Sequence, residues 1–102
     1  MNRQIFIASL PTGKLATDNF ELRETDPPEA LSGQILCRTV ALTIGAGQRA
    51  GLQGSASYAG APRAGRLMNG TGIARVETSN DDRFNEGDLV RAATGWQELS
   101  VH

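Results

Sequence analysis

The chain of 102 residues has one cysteine, Cys37, and one histidine, His102. A single thiol closes no disulfide, and two lone ligands so far apart make no zinc site, so neither a cross-link nor a metal is expected to hold the fold. Aromatic residues are scarce at 5%, with one Trp and one Tyr, and there is no aromatic-plus-basic strand of the kind that stacks bases. An excess of either charge is missing as well. Ten Lys+Arg stand against eleven Asp+Glu for a net charge of −1, which removes the electrostatic footprint of a nucleic-acid binder. The apolar run at the N-terminus is too short for a signal-peptide core and far too short to span a bilayer. No membrane partner is expected, and the protein is expected to be cytoplasmic.

What is present is a chain long enough for one domain of ordinary size, with 39% apolar residues and 12 glycines. With so few aromatics the core has to come from Ile, Leu, Val and Ala, and the glycines imply many tight turns. Arg3 to Ala8 reads as a strand stopped by Pro11-Thr12-Gly13, and Asn19 to Glu24 alternates as a half-buried strand ended by Pro27-Pro28. Gln34 to Leu42, preceded by the turn residue Gly33, is β-branched and apolar on both faces and reads as a central strand. Gly72 to Val76, Leu89 to Ala93 and Trp96 to Val101 complete a count of about six strands with hardly any helix, the pattern of a small barrel or sandwich. Leu36, Val40, Val76, Leu89, Val90 and Trp96 are the expected core. The Trp96 ring is expected to be largely buried, with its indole N–H bonded to a carbonyl.

Between Gly45 and Gly72 the composition turns to Gly, Ala, Ser and Arg with little periodicity, apart from one helical turn expected at Gly47 to Leu52. A loop that long without structure of its own is usually functional or mobile. Charge is uneven along the chain: residues 1–29 carry −2, residues 30–76 carry five Arg and no acid, and residues 77–102 carry −4. The arginines are either an anion-facing surface or a solvated set balanced by acids on neighbouring strands. Gly70 and Gly72 flank Thr71 where absent side chains allow another backbone or a ligand to come close. Because this glycine pair leads into a strand, it is not a dinucleotide loop. Gly87 reads as a turn residue with positive φ, and Asp88 as the side chain that hydrogen-bonds the turn backbone. Cys37 reads as a buried thiol, since no base stands near it in the sequence.

Four stretches carry a resemblance to a known family. Asn2 to Gly13 with Asn19 to Glu24 is similar to a first hairpin; Gly33-Gln34-Ile35-Leu36-Cys37-Arg38 to a G-Q-V-L-V-R strand; Gly70 to Val76 to a G-G-G-V-G-E-V element; and Phe84 to Val90 with Gly95-Trp96-Gln97-Glu98 to F-K-P-G-D-L-V and G-W-Q-E. Taken in order they resemble the N-terminal GroES-like domain of the zinc-independent medium-chain dehydrogenase/reductase superfamily, in the branch of leukotriene B4 12-hydroxydehydrogenase, prostaglandin reductase, alkenal double-bond reductases and curcumin reductase. The resemblance implies a mainly β, GroES-like, partly open β-barrel with little helix, spanning residues 1–102 as one domain. It also implies NADP(H) as the cofactor of the intact family, with none bound by this chain alone, because the chain ends at His102 where the family continues into a nucleotide-binding Rossmann domain.

The family's S-L-D-P-Y-M-R stretch aligns with Thr43-Ile44-Gly45-Ala46-Gly47-Gln48-Arg49, so Gly47 stands where the pocket tyrosine would be, and Leu99 where the family usually has another tyrosine. The implied wall of the substrate pocket is Ile44, Ala46, Gly47, Gln48, Arg49, Tyr58 and Met68, with no catalytic residue assigned. Two functions follow as expectations. One is the substrate-side domain of an NADP-dependent reductase of the C=C bond of enones and alkenals, inactive alone, either a truncated piece of such an enzyme or the partner of a separate Rossmann-domain chain. The other is a non-enzymatic GroES-like module that holds a small apolar carbonyl ligand or associates with itself. A patch of Ile44, Leu52, Tyr58, Leu67 and Met68 would then either pair in a weak two-fold dimer or leave a disordered 54–68 loop.

Overall fold

The computed structural model describes residues 1–45, 48, 52 and 64–102. Six strands run in order: β1 (Asn2–Ile7), β2 (Phe20–Thr25), β3 (Ile35–Leu42), β4 (Gly72–Ser79), β5 (Leu89–Ala92) and β6 (Leu99–Val101). A single turn of 3-10 helix, Thr17–Asn19, precedes β2. β1 and β2 form an antiparallel hairpin, and the other four make an antiparallel sheet in the order β5-β4-β3-β6. β3 therefore has a hydrogen-bonded neighbour on each side, as its doubly apolar sequence predicts.

The hairpin is not left on its own, because the second edge of β1 is also paired. Ile5 N–H donates to Trp96 O at 2.8 Å, Met68 N–H to Ile5 O at 2.9 Å and Ile7 N–H to Arg66 O at 2.8 Å. Asn2 extends this ladder with its side chain: Oδ1 accepts from Leu99 N–H at 2.9 Å and Nδ2 donates to Leu99 O at 3.1 Å. A buried carboxamide thus acts as one more strand residue, with both polar atoms satisfied. The two sheets joined this way do not close on each other, which gives the partly open barrel expected from the sequence.

Turn chemistry follows the sequence closely. Gly33 has φ 79° and Gly87 φ 91°, backbone conformations that a Cβ disfavours. The Asp88 carboxylate accepts from Asn85 N–H at 2.9 Å, bracing the turn into β5. Asn19 fixes the link from β1 to β2, its Oδ1 accepting from Ala16 N–H at 2.9 Å and its Nδ2 donating to Ser9 O at 3.2 Å.

The core differs from the one expected. One cluster is Ile35, Cys37, Ala74 and Val76 with Phe84 and Val90 against it; a second is Ile7, Leu52 and Met68 with Leu10, Phe20 and Trp96. Val76 and Val90 take part as expected, whereas Val40 and Leu89 are 58% and 57% exposed, and Leu36 is only half-buried. The cause lies in the charges. Leu36 and Val40 share their face of β3 with Arg38, which ion-pairs Glu77 across to β4, and a charged pair of that kind belongs in water. Leu22 likewise lies 60% exposed although it alternates with Glu21 and Arg23.

Cys37 is wholly buried, and burial pushes its thiol pKa up, so it is the inert core residue expected. The basic middle of the chain is in part balanced by neighbours: Arg38 meets Glu77, and Arg75 Nη1 donates to Gly87 O at 2.9 Å. Among the described residues no helix is long and apolar enough to cross a membrane. The helical turn expected at Gly47 to Leu52 falls mostly outside the described residues.

Gly72 is the tightest point of the β3–β4 pairing. A Cβ there would stand 2.2 Å from the carbonyl oxygen of Ala41, a backbone atom that cannot rotate away. Gly72→Ala is expected to lower stability by about 1–3 kcal/mol, read as a fall in the denaturant midpoint with unchanged slope. An unaltered midpoint would show that the two strands separate at no cost.

Candidate functional site

β3 and β4 converge at the end where one leaves the sheet and the other enters it. Thr43 holds this end together, its N–H donating to Thr71 O at 3.0 Å and its Oγ1 to the same oxygen at 2.9 Å. Gln48 ties in from the other direction: its Oε1 accepts from Gly45 N–H at 2.9 Å, and its Nε2 donates to Asn69 O at 3.4 Å. Around these contacts lies an open cavity of about 450 Å³, lined by Thr43, Ile44, Gly45 and Gln48 and by Asn69, Gly70, Thr71 and Ala93. Every described lining residue is uncharged. Such a surface suits a neutral ligand and offers an anion no compensating charge.

Of the residues expected to form a pocket wall, Ile44 and Gln48 line this cavity, and Ile44 is 81% exposed beside it. Met68 does not line it. It is 1% exposed and packs with Ile7 and Leu52, because its position next to β1 turns the thioether into the core. Ala46, Gly47, Arg49 and Tyr58 lie outside the described residues. Asn69, Thr43 and Thr71 are cavity residues that the sequence did not mark. The glycines at 70 and 72 were the available signal, since polar residues beside a required glycine sit where the backbone is exposed to a neighbour.

The apolar patch expected to drive association is smaller than the sequence implies. Leu52 is 2% exposed and Met68 1% exposed, both consumed by the core. Residues 64–68 are held against β1, with Gly65 N–H donating to Ile7 O at 2.7 Å and Leu67 bridged to Phe6. The expectation of a disordered loop is therefore corrected for residues 64–68, and for 54–63 it lies outside the described residues.

Trp96 borders a second groove of about 370 Å³ with Ile5, Leu22, Leu42 and the Arg3–Glu98 pair. Its ring stacks on Phe20 with centroids 5.6 Å apart and planes at 19°, and it is half-buried. The indole Nε1 is buried but has no hydrogen-bond partner among the described residues, which corrects the expected bond to a carbonyl. Gly70 lies against this edge of the ring: a Cβ on it would come 3.0 Å from both Nε1 and Cδ1. Asn69 Oδ1, one residue before Gly70, is the other buried side-chain atom without a partner among the described residues. Leaving such a group unpaired costs on the order of 1–3 kcal/mol. A larger hollow at the other end of the sheet, lined by Ser32, Asn80 and the acidic Asp81, Asp82 and Glu86, is remote from these residues in the fold, and Asp81 is already paired with Arg83.

The described residues do not form a cradle for a dinucleotide. Gly70-Thr71-Gly72 passes directly into β4, so no helix N-terminus follows it to receive a pyrophosphate.

With this fold and cavity in view, the class is clear: the family model for the N-terminal domain of oxidoreductase matches residues 3–102, and the chain belongs to that family, within the medium-chain dehydrogenase/reductase branch. Its particular relatives are reductases. It is 34% identical over 100 residues to the NADPH-dependent curcumin reductase of Escherichia coli, a match covering 98% of this chain and 29% of that enzyme. To the NADP(+)-dependent 2-alkenal reductase of Nicotiana tabacum it is 28% identical over 105 residues, covering 98% of this chain and 30% of the relative. The crystal structure of CurA from Vibrio vulnificus matches with a TM-score of 0.94 at 36% identity, over 100% of this chain and 30% of that one; CurA has also been solved in complex with NADPH. The chain thus spans about 30% of the length of the relatives it matches.

Arg3 and Glu98 close the rim of the Trp96 groove. Arg3 Nε and Nη2 donate to the two carboxylate oxygens at 3.0 and 3.1 Å, and Arg3 N–H adds a third bond at 3.1 Å. These bonds to Arg3 hold the Glu98 pKa at about 2, against 4.5 for a free carboxyl. The folded state therefore binds the Glu98 proton less readily than the unfolded state does, so its stabilisation is complete above pH 4.5 and is lost as pH falls toward 2. Asp81, held at about 2 by Arg83, titrates in the same window. Thermal unfolding followed between pH 6 and 2 is expected to show a shallower acid loss for Glu98→Gln than for the parent chain, with the remainder removed by Asp81→Asn. Parallel curves for all three proteins would count against these pairs as the source.

Proposed function

We propose that residues 1–102 are the substrate-side domain of an NADPH-dependent reductase that saturates the C=C bond of enones or alkenals. The observation that carries this reading is the cavity between the end of β3 and the start of β4, whose described lining is uncharged and where Ile44 offers apolar contact and the amides of Gln48 and Asn69 stand beside it. A conjugated carbonyl compound is neutral, largely apolar and tipped by one acceptor, which matches that lining. The reductase activities of the Escherichia coli and Nicotiana tabacum relatives support the same substrate class.

In this reading NADPH supplies the hydride from a separate nucleotide-binding unit, and the residues described here bind the acceptor and shield it. Thr43 and Gln48 keep the two walls in register, Ile44 displaces water from the reacting face, and no residue of this domain is assigned a proton transfer. The domain alone is inactive, because the glycine pair at 70 and 72 enters a strand and offers no pyrophosphate site.

The test uses the purified 102-residue chain. Benzylideneacetone, a simple enone, is expected to shift the amide resonances of Thr43 to Gly45 and Asn69 to Thr71 saturably, while NADPH absorbance stays constant when both are present. NADPH oxidation by the chain alone would overturn the assigned inactivity. Enone-independent resonances at those six positions would overturn the substrate role.

A further inference from the structure

Many of the polar groups around the cavity at the end of β3 are paired with one another. Thr43 spends both its N–H and its hydroxyl on Thr71 O, at 3.0 and 2.9 Å, and Gly95 N–H occupies Gly70 O at 3.0 Å. Gln48 is bound twice to Gly45: its N–H donates to Gly45 O at 3.1 Å, and its Oε1 accepts from Gly45 N–H at 2.9 Å. Because Gly45 N–H is a donor, it fixes which end of the carboxamide is oxygen, and the nitrogen end is turned to Asn69 and Gly70. There Nε2 reaches Asn69 O at 3.4 Å, a half-buried contact beyond the usual range of about 2.7–3.2 Å. A Cβ at Gly70 would also stand 3.4 Å from Nε2, so the absent side chain leaves room beside the nitrogen. An amide nitrogen carries two hydrogens, and one long contact to a described residue uses neither well. Gln48, Asn69 and Gly70 all line the one cavity.

We infer that Gln48 Nε2 is the hydrogen-bond donor to the carbonyl oxygen of the enone or alkenal, and that Gln48 thereby selects carbonyl-bearing ligands over hydrocarbons of the same shape. The inference rests on the reading of this cavity as a ligand wall and adds the atom that recognises the ligand's polar end. A group that donates and does not accept rewards an acceptor, and a conjugated carbonyl oxygen is a good one. When it arrives, Nε2 gains a bond of normal length; an alkene in the same place leaves the nitrogen as it was. The Gly45 bonds keep the amide aimed throughout. Ile44, 81% exposed on the same wall, covers the apolar remainder of the ligand.

The test titrates two matched probes into the 102-residue chain: benzylideneacetone, and 1-phenyl-1-butene, which has the same skeleton with a methylene in place of the carbonyl. The quantity read is the ratio of their dissociation constants, hydrocarbon over ketone, in the parent chain and in two variants. Gln48→Met removes the donor and the brace to Gly45 together. Gln48→Glu, ionised at pH 7, keeps an oxygen for Gly45 N–H but has no hydrogen to give. Both are expected to lower the ratio about tenfold, the worth of one hydrogen bond, while protection of the Gly45 amide from exchange survives only in Gln48→Glu. With the ketone labelled at its carbonyl carbon, the bound resonance is expected further downfield in the parent than in Gln48→Met. An otherwise unchanged amide spectrum shows that each variant is folded.

A ratio that stays the same in both variants, or a carbonyl resonance that does not differ between parent and Gln48→Met, would overturn the donor and leave the ligand wall untouched. So would a ratio lowered in one variant alone: in Gln48→Met it would trace the effect to the lost brace, and in Gln48→Glu to the added charge. Binding of neither probe to the parent chain would overturn the ligand wall and the donor together.

Discussion

Strand β1 is hydrogen-bonded along both edges, and the rest of the structure depends on that double pairing. On one side it carries β2; on the other it takes in Arg66 to Met68 and Trp96 to Glu98, segments that lie far apart in sequence. Without the second edge, a two-stranded hairpin of six-residue strands would be marginal by itself. With it, Met68 and Ile7 are placed in one cluster, Trp96 is brought over Phe20, and the stretch Asn69 to Thr71 is delivered to the end of β3. The cavity is thus a consequence of where β1 ends its pairing. Asn2 and Gln97 lock the register: Gln97 Oε1 accepts from Asn2 Nδ2 and Gln4 Nε2 at 3.1 and 2.8 Å, and its own Nε2 donates to Thr94 O at 2.9 Å. A one-residue slip of β1 would break both bonds that cross to Gln97 together.

Much of this was legible from the residues, for identifiable reasons. Strand positions and the turns at Gly33 and Gly87 are set by local chemistry, and local chemistry is what a sequence displays. Which face of β3 points inward is a different kind of fact. Alternation separates Ile35, Cys37 and Thr39 from Leu36, Arg38 and Val40 but does not rank two apolar sets. The decision came from Arg38 and its partner Glu77, thirty-nine residues further on, a pairing invisible until the register is known. The small residues Cys37, Ala74 and Gly72 on the buried face were the discarded clue: close strand packing needs small side chains, and bulk counted in the wrong direction. Asn2 was missed because a carboxamide reads as surface, and only its contact with Leu99 shows it replacing a backbone pair.

For the cavity, resemblance and physics contributed separately. Of the aligned stretch Thr43 to Arg49, Thr43, Ile44, Gly45 and Gln48 line the cavity at the end of β3. Met68 was assigned to the wall by the same alignment, but it sits one residue before the point where the backbone emerges from the pairing with β1, and the core takes its side chain. Asn69, a single step later, faces the cavity. The boundary between the core and the cavity wall in this segment is therefore one peptide bond wide, and it is drawn by the hydrogen bond from Met68 N–H to Ile5 O.

The arginines bear on the charge around the cavity. Residues 30–76 carry five Arg and no acid, which by itself would favour an anion. Yet Arg38 is matched by Glu77 and Arg75 is turned to the Gly87 carbonyl. Neither lines the cavity, whose described walls are uncharged throughout. So engaged, Arg38 and Arg75 contribute little to binding elsewhere, since their field is compensated at short range and screened beyond it, while Arg49 and Arg63 lie outside the described residues. What distinguishes one neutral ligand from another in such a cavity is shape and the pairing of individual hydrogen-bonding atoms.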